Sequence, residues 1–474
     1  MFTSTRMGSA QKSAKRPPGR VRRAARVVLI TFCTLSSTAS QTRAQVAPSP
    51  TGNPRSPSVA ALERAAATDK QSALDAFWAR ITRDGAPLIE PIPGDPGYSL
   101  LTFVWRGSTD VRNIVLFSGL TNNLSSFTRE DLDRHQLRRL KDTDLWYHSY
   151  RVPSDARFMY YLSLNDDLTP SAEVSDWTQR TATWRDDPLN PRRHIRPHED
   201  RDWIISDAIL PAAPPLEWEQ RRSGVPEGRV QEVMLPSRLL SAERRLWIYT
   251  SAVPLSPGER YSLVVMFDGW AAIHRDPTTI VLDNLINARR IPPLVAVMVD
   301  QVDRAGELGC DSAFSAFVTH EVVPFIRAGY SVHQEPQSAV VGGASRGGLA
   351  AACAGLLHPT VFGNVYAHSG QFTWKAGDSE LDEDNQRTDA EYGWVMRRFA
   401  ASPQLPIRFY LSVGKFERGE YGFLAANRHF RDVLVAKGYN VTYQEFSSGH
   451  GDANPHLANA LITLLGPRTP RAPR

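Results

Sequence analysis

The most constraining feature of this chain is a strand–helix alternation in its carboxy-terminal half. Five apolar runs stand out: 260–269 (RYSLVVMFDG), 292–300 (PPLVAVMVD), 338–343 (SAVVGG), 406–414 (PIRFYLSVG) and 439–446 (YNVTYQEF). Helix-period segments lie between them at 276–289, 312–328, 347–357 and 420–437. Apolar runs without polar alternation fit strands buried on both faces. Strands joined through helices must run parallel, which predicts an α/β domain starting near residue 226. In such sheets functional groups gather beyond the carboxyl ends of the strands.

The amino-terminal half has a different pattern. The first 44 residues carry nine Lys/Arg and no acid, then a short apolar run, VVLITFCTL (27–35), and a small-residue site, Thr42-Arg43-Ala44. This is the layout of an export signal over 1–44, with a run too short to span a bilayer comfortably. The expected location is periplasmic or secreted, with cytoplasmic residence as the alternative and no stable membrane span after signal removal. The whole chain has formal charge +5, so without those nine positive residues it has −4. The basicity belongs to the leader, and nucleic-acid binding loses its support. Residues 45–58, rich in Pro, Ser and Gly, read as a linker. A helix is expected over 59–83. Strand-like runs at 98–105, 113–117, 145–151 and 159–164 suggest a small β-sandwich over about 85–165. The proline-rich 186–218 reads as an extended connector.

Ser345 sits between the apolar run SAVVGG and the helix-period run GGLAAACAGLLH, inside Gly343-Ala344-Ser345-Arg346-Gly347. Flanking glycines permit the sharp strand-to-helix turn that exposes a nucleophilic hydroxyl above a sheet edge. That turn also aims the backbone N–H of Arg346 at a developing oxyanion. The competing reading is a glycine-rich structural turn. A serine needs a base, and His450, in SSGHGD after the last apolar run, follows it in the Ser-then-His order of α/β-hydrolases. His456 is its near rival, and His368 is placed along the pocket. The orienting acid is expected to be Glu417, three residues after SVG, with Asp452 as the alternative. Asp268-Gly269-Trp270, ending an early apolar run, is expected to give the second oxyanion donor from Gly269 and Trp270. Cys310 and Cys353 fit either a disulfide or two small buried core residues. No Cys/His cluster has zinc-site spacing, so no metal and no cofactor is expected.

At these residues the chain resembles the enterochelin (enterobactin) esterases. The resemblance rests on LFSGLTNN, KDTDLWYHSYRVPSDARFMYYLSLND, DPLNPRR, ERRLWIYT, FDGW, VDQVDRAGELGCDSAF, GGASRGGLAA, SVGKFE and ANRHFRDVL. It implies an α/β-hydrolase domain with a mostly parallel sheet over 226–467, preceded over 59–215 by a small immunoglobulin-like β-sandwich with its connector. It also implies hydrolysis of the ester backbone of a tricatecholate siderophore, iron-bound or iron-free, with Ser345, His450 and Glu417 as catalytic residues. A ferric tricatecholate is anionic with flat aromatic faces, which makes Arg304, Arg346, Trp270 and Trp374 candidate substrate contacts. Arg304 could instead pair with the nearby Glu307, and the tryptophans could be core. Two features depart from the family: the export-like leader, and the absence of a tryptophan-rich continuation after His450. The same residues would also serve an exported carboxylesterase or acyltransferase acting on feruloyl, carbohydrate or other esters. A vestigial hydrolase that only binds is the non-enzyme alternative.

Overall fold

The computed structural model describes residues 55–121, 127–199, 202–375, 393–418 and 422–467. The export leader and the linker up to position 54 lie outside the described residues. Within them, no helix is long and apolar enough to cross a membrane.

The alternating half folds as an eight-stranded sheet. Its strands are β1 (Arg229–Ser237), β2 (Ala242–Thr250), β3 (Ser262–Met266), β4 (Leu294–Val299), β5 (Ala339–Ala344), β6 (Asn364–His368), β7 (Arg408–Gly414) and β8 (Asn440–Phe446). Their spatial order is β1-β2-β4-β3-β5-β6-β7-β8. The first two pairings are antiparallel and all later ones parallel. This is the expected mostly parallel α/β-hydrolase sheet. Every residue of β3 and β4 is buried, which explains why those runs show no polar alternation. Their side chains still alternate between faces. Leu263, Val265, Val295 and Val297 join the core under the helix Arg346–Leu357. Val264, Met266, Ala296 and Met298 join the core under Thr278–Asn287 and His456–Leu465.

The amino-terminal half forms two antiparallel sheets. One holds Leu88–Pro91, Tyr98–Arg106, Leu145–Pro153 and Arg138–Arg139; the other holds Ile114–Ser118, Arg157–Leu164, Trp203–Ile209 and Arg193–Arg196, with Trp184–Arg185 alongside. Leu101, Phe103 and Tyr150 from the first sheet share one core with Phe158, Tyr160 and Leu162 from the second, so the sheets pack face to face.

Three expectations change. The helix expected over 59–83 is two helices, Pro57–Ala66 and Lys70–Asp84, because Asp69 caps the second through the Ser72 N–H at 3.1 Å. The first begins inside the expected linker, with Ser56 buried as its cap. The proline-rich connector is not simply extended, since 193–196 and 203–209 are ladder strands paired into the second sheet. Of the two readings left open for Cys310 and Cys353, the structure has the disulfide, with Cα atoms 5.5 Å apart.

Candidate active site

β5 leads straight into the helix Arg346–Leu357, and Ser345 is the single residue between them. Its backbone lies at φ 56°, ψ −121°, a region that side chains avoid. Neighbouring backbone holds it there. The Ser345 N–H donates to the His368 carbonyl at 2.8 Å, and its own carbonyl accepts from Gln371 and Leu349, both at 3.1 Å. A Cβ on Gly343 would lie 2.7 Å from the Gly347 carbonyl carbon, so the turn closes only with glycine there. Such strain costs about 1–3 kcal/mol and persists only where surroundings over-determine it. Arg346 is the first helical residue, so its N–H has no acceptor within the helix.

The ends of β5, β6, β7 and β8 lie side by side, with Ala344 opposite His368, His368 opposite Ser412, and Gly414 opposite Phe446. The loops leaving these ends carry Ser345, Glu417 and His450 to one edge of the sheet. His450 Nδ1 lies 2.7 Å from Glu417 Oε2. The other carboxylate oxygen accepts from the Gly414 N–H and the Ser369 hydroxyl, each at 2.6 Å. Glu417 is buried and His450 partly exposed. Burial alone would lower the His450 pKa, but the charge and hydrogen bond of Glu417 outweigh it and hold it above the ordinary 6.5. Burial opposes ionisation of Glu417 too, yet His450 keeps its carboxyl below the usual range. Among the described residues the Ser345 hydroxyl is not hydrogen-bonded to the imidazole, a looseness common before substrate completes such a site.

Asp452, the alternative acid, serves elsewhere. It accepts from the Met159 N–H at 2.9 Å and from the Gly449 N–H at 2.5 Å, and burial pushes it up to about 7. His456 is likewise away from the base position. It is buried and stacks on His368 with ring centroids 3.5 Å apart, and burial holds both imidazoles well below the ordinary histidine range. His368 is thus a buried residue beneath the edge; its Nδ1 lies 3.2 Å from the Ser412 hydroxyl.

The early-strand loop lies against the serine's helix. A Cβ on Gly347 would meet Asp268 Oδ2 at 3.0 Å. Asp268 takes the left-handed conformation (φ 56°) and Gly269 opens the short helix Gly269–His274, where its N–H precedes any intrahelical acceptor. The Trp270 N–H is already taken, donating to Asp300 Oδ1 at 3.1 Å. This corrects the assignment of Trp270 as an oxyanion donor and leaves Gly269. Trp270 is half-buried, with its ring 5.2 Å from that of His274.

Two substrate-contact assignments are also corrected. Trp374 is a core residue, only 7% exposed and edge-on to Trp394. The Arg346 side chain is fully buried and donates to the Ala305 carbonyl at 3.3 Å, so only its backbone faces the site chemistry. Arg304 stays at the site but does not pair with Glu307. It forks onto Asp268 at 2.7 and 3.1 Å, while Glu307 pairs with Arg244 at 2.7 Å. Its charge works against protonation of His450.

Sequence reasoning missed Ser369, whose hydroxyl holds Glu417 in place. The available signal was its position directly after a strand end, like that of Ser345. Among the described residues no cluster of His, Cys, Asp and Glu could hold a metal ion.

Residues 237–463 match the family model described as putative esterase, and residues 100–219 match the one described as enterochelin esterase, N-terminal. An iron(III) enterobactin esterase of Dickeya dadantii is 29% identical over 406 residues, covering 80% of this chain and 90% of that protein. An iron(III) salmochelin esterase of Escherichia coli is 25% identical over 420 residues, covering 86% and 97%. In overall fold the chain is similar to the ferric enterobactin esterase from Salmonella typhimurium, with TM-score 0.65, 24% identity and coverage of 82% and 98%. It is also similar to an enterobactin esterase from Shigella flexneri crystallised in the presence of 2,3-dihydroxy-N-benzoyl-serine, with TM-score 0.61, 22% identity and coverage of 82% and 97%.

Proposed function

The chain belongs to the enterochelin esterase family, and from that membership we propose that it is a serine esterase that cleaves the ester backbone of a tricatecholate siderophore. The observation that carries this reading is the Glu417–His450 pair, 2.7 Å apart, at the same sheet edge as the strained Ser345. Ser345 Oγ attacks an ester carbonyl while His450 Nε2 takes its proton. Glu417 holds the Nδ1–H and stabilises the imidazolium. The oxyanion is met by the N–H groups of Arg346 and Gly269. His450 then protonates the departing serine alcohol of the siderophore, and water, deprotonated by the same imidazole, releases the acyl group.

The protein acts outside the cytoplasm. The basic leader with its short apolar run supports this, as does the Cys310–Cys353 disulfide, since such bonds persist in oxidising compartments. The test is incubation of the purified mature protein with the cyclic tricatecholate triester, ferric and iron-free, with Ser345→Ala as control. Linear trimer, dimer and monomer of dihydroxybenzoylserine, absent with the variant, are the expected products, and the two arms give the preferred form. An untouched triester beside a hydrolysed aryl ester would move the substrate elsewhere.

A further inference from the structure

Beside the sheet edge, on the amino-terminal domain, lies an open cavity of about 320 Å³ that none of the catalytic residues lines. Its walls are Tyr161, Trp177, Trp184 and Trp203, and its cations are Arg196 and Arg275. Tyr161 and Trp203 come from neighbouring strands of the second sheet, and Trp184 from the short strand added to it. Tyr161 lies 5.3 Å from Trp184 and 5.9 Å from Trp203, ring centre to ring centre. Trp184 is stacked on Phe117 from behind at 4.7 Å, which fixes the wall.

The charges are unusual for such a wall. Arg196 is half-buried and, among the described residues, has no carboxylate within ion-pair distance. Its Nη1 approaches the Met159 sulfur at 3.1 Å and the Gly451 carbonyl at 3.4 Å. Burial and then the charge of Arg275 disfavour its protonated form, and the charges of Asp276 and Asp452 offset them only in part. Arg275 pairs with the exposed Asp276. Two guanidinium groups line one aromatic cavity, and of the two only Arg275 has a carboxylate, Asp276, at ion-pair distance among the described residues. A partly desolvated cation without a directly paired carboxylate is costly, and a bound anion relieves that cost. An aromatic enclosure also calls for a flat ring.

The cavity is joined to the catalytic edge at two points. Gly451, which Arg196 contacts, follows His450 in the chain. Arg275 caps the helix that begins at Gly269. We propose that this cavity is a subsite for one anionic catecholate ring of the substrate, gripped between the tryptophans and the two arginines while an ester of the same molecule lies at Ser345. The inference rests on the tricatecholate reading, whose substrate has rings to spare beyond the ester being cut. It assigns the amino-terminal domain a direct part in recognition.

The test is direct binding to the full Ser345→Ala chain, read by tryptophan fluorescence quenching with 2,3-dihydroxybenzoylserine as probe. Arg275→Gln and Trp177→Ala are made separately in that background. Trp177 is 40% exposed, so its loss leaves the fold in place. Each is expected to weaken binding at least tenfold, and the kcat/KM ratio of tricatecholate over a short aryl ester is expected to fall by a similar factor in the active enzyme. Absence of quenching in the parent chain, or an affinity in both variants equal to the parent's, overturns the subsite. Triester cleavage by the wild-type chain is scored separately. Cleavage with unaltered probe affinity in the variants refutes the subsite alone, while arginine-dependent probe binding without cleavage supports the subsite and refutes the substrate assignment.

Discussion

Replacing Glu417 with Gln isolates what the carboxylate does. The amide oxygen can still accept from Gly414 and Ser369, the two bonds that tie the side chain to the loop. The amide nitrogen then faces His450 Nδ1, which accepted no donor before. The imidazole answers by moving its proton to Nε2, the atom that must be bare to deprotonate Ser345. A wrong tautomer of this kind costs on the order of 10⁴ in kcat, or about 5.5 kcal/mol of barrier at 1.36 kcal/mol per decade. The pH profile supplies an independent reading. In the wild type, activity requires neutral His450 and rises through a pKa held above 6.5. Without the Glu417 charge, burial and Arg304 remain and both disfavour the imidazolium. The acid limb of kcat/KM therefore moves to lower pH even as the plateau collapses. The assay is hydrolysis of a short aryl ester from pH 5 to 9 (roughly the range over which imidazole titrates), beside circular dichroism melts. A variant within tenfold of wild type, or one whose acid limb stays put, refutes the assignment of Glu417 as orienting acid.

Other changes test the surrounding structure. Gly343→Ala forces a Cβ to 2.7 Å from the Gly347 backbone, so a melting loss of about 1–3 kcal/mol with collapse of ester turnover is expected. Reducing the Cys310–Cys353 bond, which spans 43 residues, is expected to lower stability in urea by about 4 kcal/mol on chain-entropy grounds. Asp452, ordinarily near 3.8, is pushed up to about 7 by burial in the folded chain. Its contribution is therefore fully present below pH about 4, declines as pH rises, and is gone above about 7. The stability difference between wild type and Asp452→Asn should track that window in urea melts at stepped pH, and a pH-independent difference would contradict it.

The parallel sheet was legible because its strands are buried on both faces and so read as unbroken apolar runs. β1 was not, since eight of its nine residues face solvent at least partly and Arg229, Gln231 and Glu232 break any run. The nucleophile turn was legible because glycine at 343 is sterically required, a local demand that leaves a local mark. His450 and Glu417 could be ordered along the chain by strand ends. The roles of Trp374 and the Arg346 side chain could not, because burial depends on what packs over them. The split at Asp69 turned on one carboxylate capping one N–H, weaker than the helical periodicity running through it. The aromatic walls beside the site escaped for a further reason. Arg196 and Trp203 lie in a proline-rich stretch whose composition resembles a connector, and only strand pairing gathers them with Tyr161.

That gathering bears on why two domains accompany one reaction. The loop carrying His450 is held largely by the amino-terminal domain. The Arg157 N–H donates to the Ser447 carbonyl at 3.0 Å, and Met159 donates to Asp452. Gly119 and Gly449 pass so closely that a Cβ on Gly449 would lie 2.4 Å from the Gly119 Cα. Phe416, one residue before the orienting acid, meets Phe158 edge-on at 5.9 Å. The base and its acid are thus both braced from the β-sheet side, whereas Ser345 is held from within the hydrolase sheet by the His368 carbonyl. Catalytic geometry tolerates displacements of only about 0.5 Å. Loosening the amino-terminal domain should therefore displace the base and leave the nucleophile turn intact. Met159→Pro, which deletes the N–H that Asp452 accepts, is expected to lower kcat on a short aryl ester while Ser345 still reacts with a phosphonate probe, more slowly. Undiminished turnover in a folded variant would mean that the base loop holds its position without that brace.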